Sequence, residues 1–483
     1  MEFQFDRIGL ARMVEHILPP DVLSQEKGGS TPEHSFLGRS WRFALRQYMG
    51  AYRWEQRQQQ RRLQEGLAEI RREMTHSQKP ILAYLVPFNV SKLQSGGGKR
   101  VAGIAKTLSA EFNVFILTPV PSVWPFSVVE VAADCRLVGI PQSQEFEKQM
   151  QILDVVRGAG IFAFPDFFDL LPGFHAVLTR LGRAARVWLF ESPSAWPVVQ
   201  RFRQAGCPVG YDAPNDYSRF LQNSFGCGDE RLVNRMVALE REVLGQVPIA
   251  SFCTMNDLAA ARDRCPACPG EIMQIPNGVD VGACRATPPS QAKECRQAAG
   301  LERPVAIFVG AHHKPNFEAA DWIVRGLAPV FPQVVFVVMG IHLAHFRESG
   351  GAAPESNVVF TGPVSEEIKA AVFALSDLTL APMKSGTGSS LKIPEYIAYG
   401  KIVIGTPIGL RGFEDFSPFP SVLVAEDVRA SFAQVLDRLS RDPSVFDRSC
   451  CAAREYVKTA LDWSVVARPL VDALKRQCVR GRR

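Results

Sequence analysis

The stretch "LTLAPMKSGTGSSLKIPEYIAYGKIVIGT", Leu378 to Thr406, reads as one strand–loop–helix–strand unit. "LTLAP" is a short apolar run closed by proline, "MKSGTGSS" is a loop of small residues, and "KIVIGT" is a second apolar run. A helix begins near Leu391, and Pro394 is tolerated there because first-turn N–H groups have no helical partner. Parallel strands need a crossover of this kind, so the unit is the repeating element of an open α/β sheet. Ligands of such sheets bind beyond the carboxyl ends of the strands, which is where the small-residue loop falls. The spare N–H groups of Gly388, Ser389, Ser390 and Leu391 are expected to point into that crevice at the positive end of the helix dipole, an arrangement that suits a diphosphate. Lys392 adds a full positive charge, and Glu395, about one turn on, can accept hydrogen bonds from vicinal hydroxyls such as those of a ribose. A Lys and a Glu at i and i+3 also make a simple surface ion pair worth about a few tenths of a kcal/mol, so the loop composition carries the reading more than the pair does.

The same texture recurs along the chain. From Pro80 on, "ILAYLVPF", "FNVFILT", "GIFAFP", "RVWLF", "PVGYDAP" and "VPIASFC" read as buried strands, mostly separated by enough residues for crossover helices. After about residue 275 a second series follows: "PVAIFVG", "VVFVVMG", "NVVFTG", "LTLAP", "KIVIGT" and "SVLVAE". The turn "IPNGVD", 275 to 280, leaves the strand "EIMQI" and joins the two series. At 483 residues the chain exceeds the size of one core. Two Rossmann-like domains facing a cleft are therefore expected, and such clefts commonly hold small molecules.

Three further loops fall at strand ends. In "SGGGKR", 95 to 100, Gly96, Gly97 and Gly98 precede the helical pattern "VAGIAKTLSAEF", and a helix start with closely approachable backbone favours a phosphate or sugar. The spacing is neither GxGxxG nor a Walker loop, and a flexible turn is the other reading. "YDAPNDYSRF" places Asp212 and Asp216 at a strand end, where each can orient an acceptor hydroxyl, act as its base, or cap a helix. "FESPSAWP", with Glu191, is a loop of the same kind.

Residues 1–78 carry no strand pattern. Leu63, Leu67, Ile70 and Met74 form the stripe of an amphipathic helix, so this is a helical N-terminal extension. Between Arg39 and Arg62 seven arginines stand against the single acid Glu55, interleaved with Trp41, Phe43, Tyr48, Tyr52 and Trp54. That composition over 39–62 fits an anionic membrane surface, and it also fits a helix packed on the protein's own body with a solvated basic face. The last nine residues, "KRQCVRGRR", add five basic groups. No nucleic-acid-binding motif accompanies the charge, and no nucleic acid is expected as a partner. The formal net charge of +6 and hydrophobic content of 46% are those of an ordinary globular protein. No run approaches the ~20 apolar residues of a membrane span, and the first residues do not read as a secretory signal. The expected location is the cytoplasm, with peripheral association at the inner face of the cell membrane if the basic extension binds lipid. Eleven cysteines in such a chain read as reduced thiols. Cys265 and Cys268 have CxxC spacing without further ligands, which reads as a turn, and no metal is expected.

In this order and spacing, "IPNGVD", "FVGAHHKPNFEAADWIV", "NVVFTGPV" and "GTGSSLKIPEYIAYGKIVIGT" resemble the C-terminal domain of GT-B glycosyltransferases of family 4, glycosyl transferases group 1. The resemblance is specific from about residue 270 to 415, looser from 80 to 270, and does not reach residues 1–78. It implies a nucleotide-sugar donor held mainly by the C-terminal domain and a glycan, lipid-linked or other hydroxyl acceptor held mainly by the N-terminal one. It further implies a hexosyltransferase-like enzyme of the EC 2.4 class, acting with retention at the anomeric carbon in glycan or polysaccharide biosynthesis. No bound metal or other cofactor is implied, because a helix start and basic side chains neutralise the leaving diphosphate. Glu395 matches the second acid of the family's E-x7-E motif, the one that resembles a ribose ligand, while Thr387 stands where the first acid falls. In "GAHHKPN" the resemblance points to Lys314, then His313, as phosphate contacts beside Gly310, with His312 as a further candidate. Gly362 is placed in the base pocket, and Lys392 and Asp216 are the catalytic candidates. The implied domains are a helical extension 1–78, an acceptor domain 79–270, a nucleotide-sugar domain 271–450, and a C-terminal helix and basic tail 451–483. A non-catalytic nucleotide-sugar or glycan-binding protein of this fold, or a nucleotide-sugar epimerase, remains open.

Overall fold

The computed structural model describes residues 36–93, 95–157, 164–225, 230–311, 313–348, 356–416 and 418–480. The expectations for residues 1–35, for a strand at 160–163, for His312 and for the tail at 481–483 lie outside the described residues, as do the side chains of 36–53. Contacts divide the chain into a unit ending at Ala68 and a unit beginning at Glu69. The helix Phe36–His76 runs for 41 residues. On its N-terminal part Trp54 is 64% exposed and Arg61 pairs with Glu65 at 2.8 Å.

The larger unit contains two sheets. The first has the order β3-β4-β2-β1-β5-β6-β7-β8, with β1 at Ile81–Leu85, β2 at Asn113–Val120, β3 at Ser127–Ala132 and β4 at Cys135–Pro141. It continues through β5 at Val187–Glu191, β6 at Val209–Ala213, β7 at Ile249–Phe252 and β8 at Glu271–Gln274. All neighbours are parallel except β3 and β4. The second sheet is wholly parallel, in the order β11-β10-β9-β12-β13-β14. Its strands are β9 Val305–Val309, β10 Val335–Met339, β11 Val358–Gly362, β12 Leu378–Ala381, β13 Ile402–Gly405 and β14 Val422–Val424. Every residue of β2, β5, β6, β7, β12 and β13 is buried, which is why these strands read as continuous apolar runs: helices cover both faces.

Three details differ from the expectation. The β3–β4 hairpin was not legible, because β3 is partly exposed on both faces and lacks a buried run; Asp134, at φ 55°, turns the chain in the left-handed region that Asp tolerates. Strand β8 pairs with β7, so the first sheet extends to Gln274 and past the boundary set at 270. The helix Asp447–Ala460 spans the boundary set at 450, and the helix Arg468–Arg480 returns to the first domain, where Lys475 pairs with Glu111 at 2.8 Å and Arg476 with Glu271 at 3.0 Å. One core runs from Leu82 and Tyr84 of the first domain through Ile393 and Tyr396 of the second to Leu470 and Leu474. In each sheet the strand order reverses once, between β1 and β5 and between β9 and β12. Those reversals are the switch points at which open α/β sheets bind ligands.

Candidate functional site

On the N-terminal side the helix Gly96–Leu108 follows β1. Ser95 caps it, its Oγ accepting from the Gly98 N–H at 3.1 Å, so that amide is used internally rather than held for an anion. Gly96 and Gly97 form the rest of the first turn. A Cβ on Gly96 would stand 3.0 Å from Leu391 Cδ1, and one on Gly98 2.9 Å from Leu93 Cα. Gly96 thus lets this helix start approach Leu391 of the opposite domain, while Gly98 packs on its own domain.

That loop is pressed into the cleft from the other side. Gly388 has φ +61°, and a Cβ there would meet Asn215 Oδ1 at 2.5 Å and the Pro214 carbonyl at 2.8 Å, so the position requires glycine twice over. Thr387 Oγ1 donates to Asn215 Oδ1 at 3.4 Å, and Asn277 Nδ2 donates to Ser389 Oγ at 2.7 Å. The helix that follows is Lys392–Ala398, with Leu391 at its cap. One expectation needs correction: the Ser390 N–H donates to the Arg411 carbonyl at 3.3 Å and is not spare.

Lys392 and Glu395 stand on the same short helix, but in different surroundings. Lys392 Nζ donates to Asn316 Oδ1 at 2.9 Å, lies 3.8 Å from Met383 Sδ and sits 4.5 Å above the Phe308 ring. Among the described residues no carboxylate pairs with it, and burial, with Arg411 nearby, pushes its ammonium down to about 7. Glu395 is not held for a ligand alone: Lys99 of the first domain and Lys369 of the second both reach its Oε1 at 2.7 Å. Burial works against its charge, yet the two lysines prevail and hold its carboxyl below the usual range.

The acids expected at the acceptor side are structural. Asp216 is buried and caps the helix Tyr217–Phe225, accepting from the N–H groups of Ser218 and Arg219 at 3.1 and 3.2 Å, while Arg264 binds its other oxygen. Despite burial, the Ser218 hydroxyl and Arg264 hold its carboxyl below the usual range, which does not suit a base. Arg264 also binds Glu240. Asp212 is enclosed rather than at the cleft mouth: Arg100 Nε and Nη2 bind it at 2.9 and 2.6 Å, and Ser251 Oγ donates to it at 2.7 Å. Glu191 is buried with Oε2 unpaired, and burial with Asp212 beside it raises its carboxyl well above the usual range.

At the start of the helix Lys314–Trp322, His313 occupies the cap and its ring stacks on Phe220 of the first domain, centroids 6.3 Å apart. Lys314 is exposed and 4.0 Å from Glu318. Gly310 packs against His342, whose Nε2 meets the Gly310 carbonyl at 3.0 Å and whose burial pushes it down to about 4. Gly362 ends the edge strand β11, with β10 between it and β9. Beyond β9, β12 and β13 an open cavity of ≈ 750 Å³ is lined by Lys314, Glu318, Lys384, Ser385, Gly386 and Arg411, among others. Arg411 Nε and Nη2 donate to the Thr387 carbonyl at 3.1 and 2.9 Å, which fixes the loop against the cavity wall. No group of three or more His, Cys, Asp or Glu among the described residues is placed to hold a metal.

Residues 303–442 match the family model described as Glycosyl transferases group 1. The C-terminal domain is a group 1 glycosyl transferase domain. No curated protein matches the sequence. Among solved structures, sucrose-phosphate synthase from Thermosynechococcus elongatus is similar with a TM-score of 0.60 at 16% identity, over 83% of this chain and 99% of that one. α,α-Trehalose 6-phosphate synthase from Burkholderia multivorans follows at 0.56 and 13%, over 84% and 100%. HepE from Anabaena, solved with UDP and glucose, gives 0.57 and 13%, over 82% and 100%. At these identities the likeness establishes the shared GT-B architecture.

Within the group 1 domain, sequence reading missed Lys369 and Arg411, and across the cleft it missed Lys99. Lys99 was visible inside "SGGGKR", directly after the glycines, and Arg411 follows a strand end in "GTPIGLRGF". Nothing in the spacing of Lys369 marks it, since only the fold brings its helix, Glu366–Leu375, beside Glu395.

Proposed function

We propose that this protein is a retaining glycosyltransferase that moves a sugar from a nucleotide-sugar donor to an acceptor hydroxyl in glycan or polysaccharide biosynthesis. The observation that carries the reading is Lys392: among the described residues a cation without a carboxylate partner, next to a small-residue loop at the switch point of a group 1 domain, a loop that meets Asn215 of the first domain. A diphosphate supplies the missing counter-charge. As the bond from the anomeric carbon to the diphosphate breaks, negative charge grows on the leaving oxygen, and Lys392 with Lys314 stabilises it more in the transition state than in the ground state. These cations do this without a metal in the proposed scheme. HepE, solved with UDP, and a UDP-forming α,α-trehalose-phosphate synthase from Burkholderia xenovorans support a uridine nucleotide as the donor class. Glu395 is the ribose ligand in this reading, through the oxygen not engaged by Lys99 and Lys369.

Because ligands stabilise the native state by mass action, UDP at about 100 times its Kd adds roughly 2.7 kcal/mol, which reads as a clear rise in Tm. A thermal-shift series with UDP, GDP and their sugars is therefore expected to single out one nucleoside diphosphate. No shift with any of them sinks the reading. We further propose peripheral membrane association through residues 39–62, supported by the exposed Trp54. Flotation with anionic liposomes is expected to be lost on deletion of residues 1–78.

A further inference from the structure

Taken with Lys392 behind the loop, the cavity beyond β9, β12 and β13 carries one more positive charge than Glu318 and the two phosphates of a donor neutralise. Lys314, Lys384 and Arg411 line it against one acid, Glu318. Glu318 is itself engaged by Lys314 at 4.0 Å and by Ser385 Oγ at 3.2 Å. Behind the loop Lys392 adds a further cation with an amide oxygen rather than a carboxylate as its partner. A sugar diphosphate brings one negative charge on each phosphate; with Glu318 these stand against the four cations Lys314, Lys384, Lys392 and Arg411, and one positive charge is left over.

Arg411 is built into the wall. Nε and Nη2 hold the Thr387 carbonyl and Nη1 donates to the Ile408 carbonyl at 2.9 Å. A guanidinium has five N–H donors in a planar fork, so these three bonds leave one N–H on each terminal nitrogen. Gly386, at φ +143°, makes room for the fork, since a Cβ there would lie 2.7 Å from Nη2. Arg411 is half-buried, where a charge gains from pairing, and a planar fork pairs best with a carboxylate, bidentately.

We propose that this cavity selects a donor whose sugar carries a carboxylate, a nucleoside diphosphate hexuronate, with Arg411 and Lys384 meeting the carboxylate. The proposal rests on the donor-binding function above and names its substrate class. A neutral hexose leaves one positive charge and the Arg411 fork unmatched.

The test is calorimetric titration of the full chain with UDP, UDP-glucose and UDP-glucuronate, repeated with the galacto pair. The hexuronate is expected to bind about tenfold or more tighter than its neutral hexose in at least one series, the difference of a charge-assisted hydrogen-bonded pair. In Arg411→Gln and Lys384→Gln the preference falls below about threefold. The readout is the ratio, so a loosened loop that weakens every ligand alike does not imitate the result. UDP bound but no preference in either series overturns the proposal and leaves the donor function standing, as does a preference untouched by both substitutions. A chain that binds none of the ligands overturns both.

Discussion

On the N-terminal side of the cleft Arg100 and Asp212, both fully buried, bond each other directly, and Arg264 lies between Asp216 and Glu240. On the C-terminal side Lys392 and Arg411 are satisfied by an amide oxygen, a sulfur and backbone carbonyls. In the proposed reading the difference separates scaffold from site. A cation that meets its acid inside the fold is neutralised there and holds strand ends in register. A cation that meets only dipoles keeps its charge unbalanced, which disfavours the ligand-free state and is relieved when an anion arrives.

The largest expected effect follows from the first half of that contrast. Arg100 also donates to the Ile275 carbonyl and to Asn277 Oδ1, both at 3.0 Å, so it ties β6 to the interdomain turn. Arg100→Met leaves Asp212 buried without its cation and is expected to cost about 3–5 kcal/mol in chemical denaturation, part of which the double variant Arg100→Met/Asp212→Leu recovers. If Lys392→Met costs as much stability as Arg100→Met, the contrast between the two sides fails.

Lys392→Met is instead expected to reduce turnover roughly 100- to 1,000-fold, about 2.7–4 kcal/mol in barrier if oxyanion donors are a fair guide, with a far smaller effect on stability. The pH dependence sharpens this. In the folded chain Lys392 titrates at about 7, and in the unfolded chain near 10.4. Between those values the unfolded chain holds a proton that the folded chain lacks, so the contribution of this side chain to stability rises with pH across the window. Lys401, buried on the Thr287 and Ser376 carbonyls and also pushed down to about 7, contributes a slope of the same sign that the variant retains. The difference between wild type and variant, from denaturation midpoints at pH 7 to 9.5, isolates the Lys392 part. Binding UDP at pH 8 is correspondingly expected to take up a proton, seen as a buffer-dependent binding enthalpy that Lys392→Met abolishes.

Both sheets, and the place of the 386–391 loop beyond the carboxyl end of a strand, were legible because each rests on a local pattern: continuous apolar runs at crossover spacing, and small residues before a helix start. The exposed β3 has no such pattern and stayed hidden until its pairing with β4 was seen. Among site residues, Lys392 and Glu395 were found through the loop that carries them. Asp216 was misjudged because a strand-end acid before a helix reads alike as a base or a cap, and only Arg264, 48 residues away, decides for the cap. Lys99 and Lys369, 296 and 26 residues from Glu395, converge on it only through the fold.

That convergence leads to the smallest expected effect. The Lys99–Glu395 pair joins the two domains, but Lys99 is 30% exposed, so the pair is expected to contribute only about 0.2–1 kcal/mol. Lys99→Met should therefore barely move the denaturation midpoint, and Lys369 still holds Glu395 on its own side. Donor binding discriminates further. If the ribose displaces Lys99 from Glu395, the variant no longer has to break that pair, and UDP binds up to about fivefold tighter. If Lys99 stays in place and turns toward the diphosphate, UDP binds more weakly in the variant, and Lys99 joins Lys392 among the cations that await an anion rather than those already matched.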